Sequence, residues 1–352
     1  MRTLLKTFAL LSSAALCSLS TLSAVTTDPV GYVTWTIEEG TGNARNISPL
    51  GIPLYMPSDN VTGISRGVIT GVSSDNITVA GAGWLAGELS SEAAPYIIRI
   101  TSGLASGRNL LVSTDASEAN TTDTLTIDLV ASDVDVLTSL DINVGVDTFE
   151  LVECDTLLSM LGTPSDGAII GGSDFDSADN IWLLDYSGSW KKFYYDTDVD
   201  SWVRNIRGFP AANNEPLLPD NGLLVLRQAT QTTELILTGT VPSLGRQMTI
   251  NKAGLTVLAN SFPVDMQLSD VGLESIPDWE SSSDADLADI VFVRDGNSWK
   301  RFFHNGSEWV ENVRGFPNSD DFMIAIGSAI IVQKKTATSS DVTYTQVLPY
   351  TL

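Results

Sequence analysis

Cysteine, histidine and basic residues are scarce in this chain of 352 residues: two Cys, one His and 19 Lys plus Arg, against 43 Asp plus Glu. Each shortage excludes something. With Cys17 inside a stretch that reads as a removable leader, Cys154 stands alone and cannot close an internal disulfide, so stability has to come from buried core. A single histidine, His304, removes multi-histidine metal sites and hangs any Ser-His-Asp or Cys-His arrangement on one hairpin-tip residue. The net charge of −24 repels phosphate backbones and anionic headgroups, which excludes nucleic acid as a partner and favours solubility. Beyond the N-terminal segment no apolar run is long enough to cross a bilayer core of about 30 Å as a helix, so no transmembrane segment is expected.

The N-terminus has the three parts of a secretory signal peptide. Met1-Arg-Thr-Leu-Leu-Lys6 is a basic start, Thr7 to Leu16 an apolar stretch, and Leu22-Ser-Ala24 a small-residue exit. Residues 1–24 are therefore expected to be a leader and the mature chain to be secreted or otherwise extracytoplasmic, in the periplasm, at the cell surface or in the medium. Leu16, before Cys17, is not the small residue that a lipid-anchoring signal wants. Removing Arg2 and Lys6 with the leader takes the 19 basic residues to 17, so the mature chain is more acidic still. A charge this high can signal disorder, but 43% hydrophobic residues with 8 Trp, 8 Tyr and 11 Phe supply enough apolar area to offset chain entropy.

What is abundant is strand vocabulary. Thr, Val, Ile and Ser dominate from Asp28 to about Val152, with turn pairs at short spacing and hairpin signals such as Val72 and Ile77 around Asp75-Asn76. The second half is an internal duplication. Asn180-Ile-Trp-Leu-Leu-Asp-Tyr-Ser-Gly-Ser-Trp-Lys-Lys-Phe returns as Asp289-Ile-Val-Phe-Val-Arg-Asp-Gly-Asn-Ser-Trp-Lys-Arg-Phe, and Trp202-Val-Arg-Asn-Ile-Arg-Gly-Phe-Pro as Trp309-Val-Glu-Asn-Val-Arg-Gly-Phe-Pro. Asp155 is placed to cap, and Gly162 to end, one short helix. The unbroken apolar runs Leu223-Leu-Val-Leu and Ile330-Ile-Val imply strands covered on both faces. The pattern predicts a mainly β protein of antiparallel sandwich or barrel-like modules with occasional short helices: an N-terminal β module over 25–150, repeat module 1 over 151–245 and repeat module 2 over 246–352.

The duplicated phrase carries packing and turning residues rather than a nucleophile, metal cluster or phosphate loop. In the hairpins, period two sets Trp190, Lys192 and Tyr194 on one face, and Trp299, Arg301 and Phe303 on the matching one. Aromatic rings beside cations suit stacking on sugars with charge pairing to acidic polysaccharide; equally, such rings fill cores while Lys and Arg stems lie across them. In the Arg-Gly-Phe-Pro strings, Arg207 and Arg314 could recognise a carboxylate, or the string is a turn in which Phe209 and Phe316 plug the core and each Arg pairs with a nearby acid. The acid-rich strings Ser173 to Asp179, Ser283 to Asp289 and Asp196 to Asp200 resemble calcium ligand sets in composition, so Ca2+ is a candidate cofactor, but the ordered pattern of a calcium loop is absent and solvated turns explain them as well. Cys154 lies among acids that blunt it as a nucleophile. Glycosidase-type carboxylate pairs have no distinguishing context, Trp279-Glu280 and Glu308-Trp309 being the least implausible.

Thr26-Thr-Asp-Pro-Val-Gly-Tyr-Val-Thr, Ile100-Thr-Ser-Gly-Leu-Ala-Ser-Gly-Arg, Ala259-Asn-Ser-Phe-Pro-Val and the Trp hairpins together resemble a family of secreted proteins from Verrucomicrobia-type bacteria. That resemblance implies export and β architecture and brings no active site to transfer. The leading expectation is a non-catalytic secreted or cell-surface structural or interaction protein that engages other copies of itself, the envelope or the matrix. A carbohydrate-binding protein using the hairpin aromatics comes second, and a glycan-processing enzyme third.

Overall fold

The computed structural model describes residues 29–40, 45–57, 61–185, 187–337 and 340–351; the expected leader lies outside them. Among the described residues the fold is mostly β, 40% strand and 7% helix, in several antiparallel sheets with no closed barrel. β1 (Val30–Ile37) buries Val33, Trp35 and Ile37 while Tyr32, Thr34 and Thr36 face out, the alternation of a half-covered strand. β2 (Asn46–Leu50) follows. Neither pairs with the strands that come next in the chain. Residues from about Tyr55 to Cys154 fold around their own core, in which Trp84, Phe149, Ile98 and Leu125 meet between two sheets; its main strands are β3 (Ala94–Ile100) and β4 (Thr148–Glu153), paired antiparallel.

A one-turn helix, α1 (Leu157–Leu161), opens the next part. Its cap is Thr156, which accepts from Ser159 N while Ser159 Oγ accepts from Thr156 N. That is one residue later than expected: Asp155, at the turn before it, accepts from the Ser159 hydroxyl at 3.2 Å. β5 (Asn180–Leu184), β6 (Trp190–Asp196), β7 (Ser201–Arg204), β8 (Leu223–Arg227) and β9 (Thr233–Thr240) complete this part. Its sheet runs β7-β6-β5-β8-β2, and β9 pairs with β1 over eight residues, from Val30↔Thr240 to Ile37↔Thr233. The last part repeats this layout without interruption. β10 (Arg246–Ile250) pairs with β16 (Val342–Gln346), and β11 (Gly254–Ala259), β12 (Ile290–Asp295), β13 (Ser298–His304), β14 (Trp309–Glu311) and β15 (Ala329–Lys334) form a sheet in the order β14-β13-β12-β15-β11.

The first repeat therefore consists of residues 30–50 together with about 154–240, and the intervening module is an insertion. The expected segment 25–150 is split accordingly: its first two strands belong with β8 and β9. The physical reason is that β8 is buried throughout and needs a neighbour on each side, a place that β11 fills in the second repeat and β2 in the first. Each repeat has its own core, with Phe193, Tyr195 and Trp202 in one and Phe302 and Trp309 in the other. Trp35, Trp84, Trp202 and Trp309 are at most 1% exposed, and each indole N–H finds an acceptor: Gly51 O, Ile64 O, Gly162 O and Glu274 Oε2. Burying such a ring removes about 150–250 Å2 from water, worth roughly 4–6 kcal/mol before entropy.

The repeats meet through β2 and β8 on one side and β11 and β15 on the other. Leu50 bridges Ser328, Asn221 bridges Leu258, and Leu224 and Leu226 pack on Val257 and Ala329. Gly51 and Gly222 allow this approach: a Cβ on Gly222 would sit 2.4 Å from the Ala329 side chain, and one on Gly51 2.8 Å from that of Ala259.

Candidate functional site

The hairpin residues do not make an exposed aromatic row. Tyr194 is buried against Ala178 and Val203, and Phe303 against Ala288 and Val310. Trp190 is half-buried beside Trp182, ring centroids 5.7 Å apart, at the seam between the repeats, and the Lys192 ammonium lies 4.0 Å above the same Trp182 ring. Trp299 is half-buried under the Arg294 guanidinium, and Arg301 is exposed over Phe292. Both faces of each sheet carry apolar cover, and that is why period-two alternation could not single out a solvent face.

The Arg-Gly-Phe-Pro turns behave in the opposite way. Phe209 and Phe316 do not plug the core; they are 53% and 48% exposed. Ile206 and Val313, three residues earlier, are exposed with them, and Arg207 and Arg314 stand exposed between. Neither arginine has a carboxylate within ion-pair reach among the described residues, so the expected pairing does not form. The backbone is the same in both copies. Gly208 and Gly315 have φ of 91° and 92°, Phe209 and Phe316 of 43° and 44°. Phe209 N donates to Ile206 O at 3.0 Å and Phe316 N to Val313 O at 3.1 Å; Asn205 N donates to Lys192 O and Asn312 N to Arg301 O at 2.8 and 2.7 Å.

A phenylalanine in the left-handed region costs about 1–2 kcal/mol, and a following proline disfavours folded conformations further. Here both conditions occur together, twice. Strain of this kind survives only where surrounding structure over-determines it, and it concentrates at ligand clamps. The supports are visible: Phe209 stands edge-on to Tyr194 at 6.4 Å, and Phe316 to Phe303 at 5.6 Å. Two of the residues singled out from sequence thus serve as pedestals for exposed rings that sequence reasoning had placed inside. β7 and β14, which lead into the turns, are the strands farthest in sheet order from β2 and β11 at the seam. The chain matches no family model, no curated protein and no solved structure.

The acid-rich strings divide into two kinds of residue. Asp174, Asp196 and Asp284 accept hydrogen bonds from backbone N–H groups two or three residues on, and the bonds from the Ser177 hydroxyl and amide hold the Asp174 carboxyl below the usual range. Asp179 and Asp289, the last acid of each duplicated string, turn inward. Asp179 lies 3.2 Å from Arg227 and accepts from Ile170 N; Asp289 lies 2.6 Å from Lys334 and accepts from Glu280 N. All four side chains are at most 1% exposed. Among the described residues no three His, Cys, Asp or Glu side chains gather as a metal site would require.

His304 Nδ1 is 3.0 Å from Ser281 Oγ, in the loop before β12, and also accepts from Gly306 N in its own hairpin, so this nitrogen is already occupied. Cys154 is buried, and burial followed by the neighbouring Asp155 carboxylate pushes its thiol well up. Glu308 accepts from Asn318, and the Trp279 ring packs on Trp309 at 5.7 Å.

A second polar group, unannounced by any motif, lies where the insertion meets both repeats. Asp220 accepts from Asn109 Nδ2 at 2.9 Å on both carboxylate oxygens, and Arg246 lies 3.4 Å from it. Arg108 donates to Thr249 Oγ1 at 2.7 Å and to Asp133 O at 3.2 Å. Burial raises the Asp133 carboxyl to about 7 against the opposing pull of Arg108. The guanidinium carbons of Arg99 and Arg246 lie 4.2 and 3.8 Å from the Tyr55 ring centre. Sequence patterning had no way to find this group, because its members come from segments more than 100 residues apart.

Proposed function

We propose that this chain works outside the cytoplasm as a non-catalytic interaction protein, holding an envelope or matrix component, or another copy of itself, through two copies of one strained turn. The observation that carries this reading is the pair of exposed Phe209 and Phe316 side chains, each kept at a φ that disfavours phenylalanine. An exposed aromatic, a β-branched neighbour and an unpaired arginine make a small patch with an apolar body and a cationic head, suited to a partner that offers apolar surface beside a carboxylate. Two such patches give bivalent attachment: the second contact is intramolecular, and avidity can exceed either affinity by about 10²–10⁴.

The test is sedimentation of the full chain with envelope and matrix fractions of the producing cells, in parallel with sedimentation velocity of the chain alone. Phe209→Gly or Phe316→Gly should each lower retention by about 100-fold, and the pair should abolish it. Glycine suits the backbone there, so folding stays intact. Retention of the double variant at the parental level would overturn the proposal.

A further inference from the structure

Between the insertion and the end of the first repeat lies a cleft of about 550 Å3, walled by Arg99, Thr148 and Glu150 on one side and Thr240 and Ser243 on the other, with Tyr55 beside them. Arg99 is 4% exposed, and its Nε and Nη2 are buried without a partner. Its Nη1 comes no nearer than 4.0 Å to Glu150, whose carboxylate already takes the Arg66 Nε at 3.0 Å. On the same Tyr55 ring, Arg246 is fully buried with Nε and Nη2 also unpartnered. Two guanidinium groups thus share one ring while Asp220 and Glu150 leave several of their donors unmet.

Buried donors without acceptors ask for an acceptor, and guanidinium geometry matches a carboxylate. The cleft is of small-ligand size and sits between domains, where such sites concentrate. Its Thr and Ser hydroxyls can bond to alcohols, and Phe149, Val241 and Leu244 supply apolar wall for the C–H face of a ring. A chain of net charge −24 repels anions at long range, so attraction has to be local. We propose that this cleft binds the carboxylate of a sugar acid, with Arg99 as the anchor. This inference stands apart from the twin turns.

The experiment is calorimetric titration of the full chain with glucuronate, glucose and sodium sulfate at matched ionic strength. Glucuronate should bind saturably, with glucose and sulfate weaker by at least about tenfold, since the charged hydrogen bonds and the hydroxyl contacts are both needed. Ser243→Trp, at an exposed position of the cleft wall, should abolish glucuronate binding with an unchanged melting profile, and Arg99→Lys should weaken it by about tenfold or more. The Phe209→Gly/Phe316→Gly double variant should bind glucuronate like the parent, which separates failure here from failure of the turns. No saturable heat, equal binding of glucose, equal binding of sulfate as an adventitious ion only, or undiminished binding by Ser243→Trp would each overturn the assignment.

Discussion

The two repeats share a sheet order, a core tryptophan and a turn, yet one takes its fifth strand from next door and the other from a segment a hundred residues upstream. Comparing them separates what the fold requires from what it tolerates. Hairpin tips drift: Asp196-Thr-Asp-Val-Asp200 in one copy stands where Asn305-Gly-Ser-Glu308 stands in the other. The buried cation changes from Arg227 to Lys334, but a carboxylate meets it in both. The Phe turn changes in neither backbone nor exposure. A core aromatic needs no further explanation; an exposed and strained one kept in duplicate does.

The largest expected effect breaks the comparison at its ion pairs. Asp179→Ala or Asp289→Ala strands a buried cation and should destabilise its own repeat by about 3–5 kcal/mol, measured by urea unfolding. Arg227→Lys, which imports the second repeat's solution into the first, should be milder; an equal loss would show that the two pockets are not equivalent. Next is the seam. Gly222→Val drives side-chain atoms into Ala329 and Val257 and should cost about 1–3 kcal/mol, with the repeats becoming separable by limited proteolysis.

The pH response reads the insertion's dock, through Asp133, and the start of the first repeat, through Asp155. Burial lifts Asp133 to about 7 and Asp155 to about 6. Raised carboxyls bind more protons folded than unfolded, so their stabilisation is complete below about pH 4 and is lost as pH rises through 6 and 7, by at most about 1.4 kcal/mol per unit and group. Melting temperature should therefore fall from pH 5 to pH 7.5, and Asp133→Asn should flatten that slope; a rise over the same range would contradict it. The smallest effect sharpens the twin turns: Phe209→Gly should be more stable than Phe209→Ala by about 1 kcal/mol, and the same difference should appear at Phe316.

Much of this architecture was legible. The duplication and the wholly apolar strands follow from repeated spacing and from unbroken apolar runs. The origin of β2 was not, although Leu50-Gly-Ile-Pro-Leu54 set beside Asn260-Ser-Phe-Pro-Val264 carried a trace of it. Alternation says which side of a strand is apolar and says nothing of which sheet it joins. The inward turn of Asp179 and Asp289 was hidden for a related reason: in a chain with 43 acids, a carboxylate that meets a buried cation looks like its solvated neighbours. Phe209 and Phe316 misled because their side chains are apolar while their backbone conformation is set by the bonds of the surrounding turn.

The split of the first repeat also orders its assembly. β1 leaves the ribosome some 200 residues ahead of β9, its strand partner among the described residues, and synthesis at about 5–20 residues per second makes that wait roughly 10–40 s. Meanwhile the insertion can collapse by itself, and because Met56 and Pro57 pair with Glu153 and Val152, its closure brings β2 back beside α1 before β8 exists. The segment that looked like a separate leading domain is thus closed by pairing at its own two ends, and that closure sets β2 beside α1.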